Sequence, residues 1–256
     1  MLQTPRKSHH RRRRSAALGD QDGGHRGRKK TKLVNRLIER SLIRRVSFDQ
    51  YREKVRKVYD GPQGAVLAAC SAVSLHAPLG ERLFQPGKFE LAGAQRILDV
   101  GSGAGQLARH VLKYADPDAE IVCTDLSAEM LRRGRQRLRS DRPRFVAADI
   151  TQLPFPDETF DAITCGYVLE HVPVARDGLS ELSRVLRPGG RILLLTTEDN
   201  FAGAWTSFLW HCQTYDREEL YRTCDELGLQ RRQELWFTPM HRAMRAGGIC
   251  VELQKG

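Results

Sequence analysis

The stretch that decides the fold is "ILDVGSGAG", residues 97–105. A short apolar run carries an aspartate near its end, and three glycines follow at alternate positions. The run predicts a buried strand, and the glycines behind it predict a tight turn into a helix. Glycine at such a turn admits positive φ and leaves no Cβ between the backbone and a ligand. The dinucleotide-binding pattern GxGxxG needs a sixth-position glycine, but counted from Gly101 that position is Gln106. A structural turn alone gives no reason for Asp99, two residues ahead of the first glycine.

The pattern repeats outward. "EIVCTD" reads as a strand that ends in Asp125, twenty residues after Gly105. A carboxylate there can accept hydrogen bonds from both hydroxyls of a ribose. "RFVAAD" reads as a third strand, ending in Asp149, which can accept from an adenine amino group. Between these strands "GQLARHVLKYA" and "SAEMLRRGRQRLR" have helical spacing, the second with Ser127 as its N-cap. "FDAITCGY" is a fourth strand, "VARDGLSELSRVL" a helix, and "PGG" the turn into the strand "RILLLTT". "DREELYRTCDELGL" is a last helix, and "QRRQELWF" with "GICVELQK" closes the chain as an antiparallel hairpin. Alternating strands and helices predict an α/β fold: a doubly wound, Rossmann-like, seven-stranded sheet with helices on both faces. Ligands in such sheets bind at the carboxyl ends of the strands.

The run of motifs "ILDVGSGAG", "CTDLSAEML", "AADITQLPF", "FDAITCGYVLEHV" and "LRPGGRILLLTT" resembles the class I S-adenosylmethionine-dependent methyltransferases. It is most similar to the type 11 branch, which includes the ubiquinone and menaquinone biosynthesis methyltransferases. The resemblance spans roughly residues 96–256 and implies S-adenosyl-L-methionine as cofactor. It implies that Asp99, Gly101, Ser102, Gly103 and Gly105 hold the methionine end. Asp125 would hold the ribose with Leu126 beside the adenine, and Asp149 and Ile150 would bound the adenine. Leu126 and Ile150 are equally readable as ordinary core residues. Cys165, Gly166 and Tyr167 would lie near the sulfonium, with Tyr167 and His171 as the catalytic candidates. His171 in "LEHV" is the expected general base, or else a packing residue at the start of the next helix. Glu170 is expected to hydrogen-bond backbone in the cofactor loop.

Walls for the methyl acceptor must come from outside these motifs. "TEDNFAGAWTSFLWHCQTY" is too long for a simple connection, where about 2–6 residues are usual. It offers Trp205, Trp210 and His211 to an apolar or aromatic small-molecule acceptor, and "FTPMHRAMRAGG" offers His241. The alternative for the aromatic insert is a helix packed on the sheet edge.

The rest of the chain bounds the setting. Residues 1–32 hold eleven Lys or Arg and two Asp, so they carry +9 of the formal +11. The remaining 31 basic and 29 acidic residues nearly cancel, so the basic character belongs to the tail. That tail is expected to be disordered. It is either a solvated segment or a contact for RNA or an anionic membrane surface. Residues 33–90 read as an N-terminal helical cap or lid whose basic amphipathic helices pack on the methyltransferase domain, expected at 91–256. The alternatives for the first helix are a membrane surface and a nucleic acid. No apolar run is long enough for a transmembrane segment, and no apolar signal core follows the first methionine. The six cysteines form no CxxC pair, so free thiols, no metal and a cytoplasmic setting are expected. Two other readings stay open: an RNA or protein methyltransferase docked through its tail, and a cofactor-binding regulatory protein without catalysis.

Overall fold

The computed structural model describes residues 79–200, 213–245 and 247–256, with Glu53 alone ahead of them. The basic tail, most of the expected helical cap, and Trp205, Trp210 and His211 lie outside the described residues. All described residues belong to the unit Ser47–Gly256.

Seven strands form one sheet in the order β3-β2-β1-β4-β5-β7-β6. They are β1 Arg96–Val100, β2 Glu120–Asp125, β3 Pro143–Ala147, β4 Phe160–Gly166, β5 Leu186–Thr196, β6 Leu229–Glu234 and β7 Ile249–Lys255. The first five pair in parallel, and β7 lies antiparallel between β5 and β6. The helices are α1 Ala108–Tyr114, α2 Ala128–Leu138, α3 Ala175–Val185, α4 Arg217–Glu226 and α5 Pro239–Met244. The expected seven-stranded Rossmann-like sheet is therefore present, and α5 sits between the two strands read as a closing hairpin.

Period-two alternation explains the two cores. Leu98, Val100, Val122, Ile163, Cys165 and Leu194 face one side, where Leu179 and Leu182 of α3 and Leu220 of α4 cover them. Ile97, Ile121, Cys123, Ala162, Leu193 and Leu195 face the other, against Ala108 and Val111 of α1. Strands buried on both faces need continuous apolar runs, and "RILDV" and "RILLLTT" supply them. The "PGG" segment falls inside β5: Phe160 pairs with Leu186 and Ala162 with Arg191, so Arg187–Gly190 bulge out of the ladder. Gly189, at φ 75°, turns that bulge.

Two caps fix helix starts, the first of them as expected from its sequence. Ser127 Oγ accepts from Met130 N at 3.0 Å, and Asp216 accepts from Glu219 N at 2.9 Å. The first residue of α4, Arg217, is 6% exposed and holds Glu198 through two bonds of 2.8 and 2.9 Å. This pair joins α4 to the chain leaving β5. Removing one partner strands a buried charge, which typically costs several kcal/mol. Arg217→Met is expected to destabilise the domain by about 3 kcal/mol, read as a lower urea midpoint at unchanged slope.

Candidate functional site

The site lies where β1 and β4 deliver their carboxyl ends side by side. Strand order reverses here, with β2 and β3 on one flank and β5 on the other, which is the position where such sheets bind ligands. The glycine loop takes the shape its composition allows: Gly101, Gly103 and Gly105 have φ of 65°, 52° and 84°. A Cβ on Gly101 would stand 2.0 Å from Val168 Cγ2, so the segment after β4 lies directly against the loop. From the other side α2 approaches through Gly134, where a Cβ would meet Gly103 O at 2.9 Å.

Asp125 braces this loop. Its Oδ2 accepts from Gly103 N and its Oδ1 from Ser127 N, each at 2.9 Å. Ser102 N donates to Thr124 O at 2.8 Å, so the loop is stitched to the end of β2 at two points. The half-exposed Asp125 side chain retains acceptor capacity for a ribose, since each carboxylate oxygen takes more than one donor. Leu126 is half-buried beside it. The strand preceding Asp149 ends at Ala147, two residues earlier than its sequence suggests. Asp149 Oδ1 instead organises a turn, accepting from Thr151 N at 2.8 Å and Thr151 Oγ1 at 2.9 Å. Ile150 is buried in the core under α3, near Gly178.

Asp99 is 1% exposed. Its Oδ1 accepts from Thr164 Oγ1 at 2.5 Å, and Thr164 is its register partner on β4. Its Oδ2 and the nearby Ser102 Oγ are buried without a hydrogen-bond partner. Burial pushes the carboxyl up to about 6; the Ser102 and Thr164 hydroxyls pull the other way, and Asp125 adds to the rise. An orphaned acidic oxygen and an orphaned hydroxyl beside a Cβ-free loop fit the ammonium and carboxylate of an amino-acid moiety. The methionine end of S-adenosylmethionine is such a moiety, so these residues fit the cofactor.

After β4 the chain makes a single 3-10 turn, Leu169–His171. Tyr167 precedes it at φ 57°, a conformation that strains a non-glycine residue. Tyr167, expected among the catalytic residues, donates its hydroxyl to Gly247 O at 3.1 Å, and burial pushes its phenol well above the usual range. It therefore joins the end of β4 to the β6–β7 connection. Glu170 does not reach the cofactor loop as expected. Its Oε2 accepts from Thr196 Oγ1 at 2.9 Å and its Oε1 from Thr197 Oγ1 at 2.8 Å, and it is 3% exposed. Burial pushes its carboxyl up to about 7. The 3-10 turn is thus pinned to the end of β5, and Tyr215 and Gln213 bind it from outside through Leu169 O and Glu170 O. Burial pushes the His171 imidazole down to about 4, so it is neutral at physiological pH. Cys165 is fully buried beneath Gly166, where a Cβ would meet Leu107 Cδ1 at 2.7 Å. His241 sits on α5 with its Nδ1 2.6 Å from Thr238 Oγ1 and its ring against Phe237.

Three participants escaped the sequence reading: Thr164, Thr196 and Thr197. Each is a hydroxyl inside or just after an apolar strand, and that misfit is the signal that could have marked them. The four described cysteines, 123, 165, 224 and 250, are free and buried, as expected. Among the described residues no group of three or more His, Cys, Asp or Glu could hold a metal ion.

This arrangement matches known proteins. Residues 98–194 match the methyltransferase domain family. The ubiquinone/menaquinone biosynthesis C-methyltransferase UbiE of Stutzerimonas stutzeri is 40% identical over 121 residues, covering 44% of this chain and 47% of that protein. The chain thus spans about half the length of the curated relatives it matches. Among solved structures, a Haloferax volcanii methyltransferase in complex with the Trm112 methyltransferase activator has a TM-score of 0.63 at 18% identity, covering 78% of this chain and 96% of that one. The geranyl diphosphate C-methyltransferase of Streptomyces coelicolor, solved with S-adenosyl-L-homocysteine, has a TM-score of 0.56 at 19% identity, covering 71% and 80%. Residues 98–194 are thus similar to a methyltransferase domain, and the fold is shared with solved methyltransferases.

The sign of the Asp99 shift sets a test. Its folded value lies above the ordinary carboxylate range, so its ionisation removes stability as pH rises from about 4 to about 6. A cation bound beside it acts in the opposite sense. Cofactor affinity measured by calorimetry is expected to fall as pH drops through about 6. Asp99→Asn is expected to abolish that dependence and to weaken binding at pH 8 by at least about tenfold. Without cofactor, the same variant is expected to unfold at higher urea than the parent above pH 6.

Proposed function

We propose that this domain transfers the methyl group of S-adenosylmethionine to a ring carbon of a small, apolar, hydroxylated aromatic acceptor of quinone-precursor type. The observation that carries the reading is the 3-10 turn after β4. It carries a half-buried neutral imidazole, His171, three residues beyond Val168, which abuts the cofactor loop. The similarity to a C-methyltransferase acting in quinone biosynthesis supports the acceptor class.

When bound, the cofactor supplies a sulfonium-activated methyl carbon. The chain's work is then to hold and orient. Asp99 and Ser102 take the amino-acid end, and Asp125 takes the ribose while keeping the glycine loop in place. The cofactor would supply that methyl to an acceptor carbon, its sulfur keeping the bonding electrons, while the residues above would hold it in place. The ring, now carrying the methyl group, must lose one proton to regain aromaticity. An imidazole depressed to about 4 cannot deprotonate an ordinary phenol beforehand, but it can accept a proton from the strongly acidic methylated ring. His171 therefore acts after carbon–carbon bond formation has begun. Tyr167 and Glu170 are positioning residues, the first through Gly247 and the second by pinning the turn that carries His171. Alignment of acceptor and methyl donor supplies most of the acceleration.

A labelled-methyl assay with a prenylated hydroquinone, followed by product NMR, tests the reading. A methyl group on ring carbon is expected; label on oxygen or only on RNA overturns it. His171→Ala is expected to lower turnover by about 10²–10⁴ with cofactor affinity retained. The parent pH–rate profile is expected to show no limb near 6.5, because the imidazole titrates near 4.

A further inference from the structure

Among the described residues the large hydrophobic side chains left exposed are Val174, Met240 and Met244, at 51%, 66% and 71%. All three occur in connections that leave the carboxyl ends of strands. Val174 caps α3 after β4, and the two methionines are on α5 after β6. They therefore sit on the rim where the candidate site opens. Met240 and Met244 are four residues apart, so they share one face of α5. No residue of α5 is buried, so packing within the domain does not account for that face. The helix is held at its ends instead. Thr238 Oγ1 accepts from His241 N at 3.2 Å, and Asn200 Nδ2 donates to Arg245 O at 3.3 Å. Arg242 is exposed, Arg245 keeps a 66% exposed side chain while pairing with Glu198 Oε1 at 3.4 Å, and residues 235–248 contain no Asp or Glu.

A short element with two adaptable thioethers at its tip, the exposed Arg242 beside them and no acid of its own is complementary to an anionic bilayer surface. We propose that α5 is the point at which this domain touches an anionic lipid membrane, setting the mouth of the acceptor site against the lipid phase. The inference rests on the apolar acceptor proposed above. A lipid-soluble acceptor could then reach the site without crossing water. Methionine suits shallow, reversible insertion because it makes apolar contact without a fixed shape. The basic tail supplies charge but no apolar tip, so the two contributions are separable.

The test is flotation of the full chain with vesicles of phosphatidylglycerol and phosphatidylcholine, without cofactor or acceptor. The parent is expected to float with these and far less with phosphatidylcholine alone. Met240→Ser/Met244→Ser leaves the charge unchanged and is expected to weaken flotation by about tenfold or more. Arg242→Glu is expected to weaken it on the anionic vesicles. Cofactor affinity is expected to match the parent in both variants, which confirms that they are folded. Equal flotation of the parent and the methionine variant overturns the proposal in favour of tail binding alone. No flotation of the parent, including the case of a protein partner on this face, overturns it as well. Vesicle binding reads this inference without any turnover, so loss of the acceptor assignment and loss of the membrane assignment are told apart.

Discussion

A carboxylate held out of water at the end of a central strand is the constraint to which the rest of the site answers. Asp99 is flanked in register by Cys123 on β2 and Thr164 on β4, so solvent has no route to it along the sheet. The Thr164 hydroxyl meets one oxygen, the Ser102 hydroxyl stands near, and the second oxygen has no hydrogen-bond partner within the protein. Such a group costs stability until a donor or cation reaches it. The glycine loop is the side from which one can come, and its three positive-φ glycines keep side chains out of the way. The braces on that loop, Asp125 on Gly103 and α2 through Gly134, hold the opening at a fixed distance from the acid.

Glu170 repeats the device with a different outcome. It too is buried and raised, but both its oxygens are met by threonine hydroxyls from the end of β5. Its bonds are internal, so it joins elements and leaves no oxygen waiting. Glu198 shows the third solution, a buried carboxylate neutralised by Arg217. The three acids lie within one end of the sheet, and only Asp99 has an oxygen left unmet. Stability is given up where binding needs it and recovered where the scaffold does.

The sheet was legible because its strands are buried on both faces and its turns carry glycine. "ILDVGSGAG" and "RILLLTT" admit few alternatives once the helical spacing between them is seen. The carboxylates near the strand ends were legible for the same reason, since an acid beside an apolar strand stands out, but their hydrogen-bond partners were not. Nor were partners across the sheet. Nothing in "LEHV" says that Glu170 meets Thr196 and Thr197, because that pairing depends on how far β4 and β5 are offset. The bulge at Arg187–Gly190 sets the offset, and a bulge is a tertiary outcome. Tyr167 was readable as a pocket residue, but its bond to Gly247 spans 80 residues and required the closing strands to be placed. Asp149 was placed two residues too far inside its strand, since the Asx-type turn with Thr151 competes with the ladder there.

The division of the rim explains why similarity identifies one substrate more firmly than the other. The stretch shared with the methyltransferase domain family runs from β1 to β5 and contains every residue assigned to the cofactor. The β6–β7 connection lies beyond it, and that connection carries Phe237, His241 and the methionine face of α5. Tyr167 ties the two halves together with one hydrogen bond to the backbone carbonyl of Gly247, a glycine at φ 93° whose missing Cβ would stand 3.2 Å from Phe237 Cδ2. Such a joint uses the backbone of the connection and its glycine, and engages none of its other side chains directly. Under the proposed function, acceptor choice falls to this connection, which lies outside the stretch shared with the methyltransferase domain family.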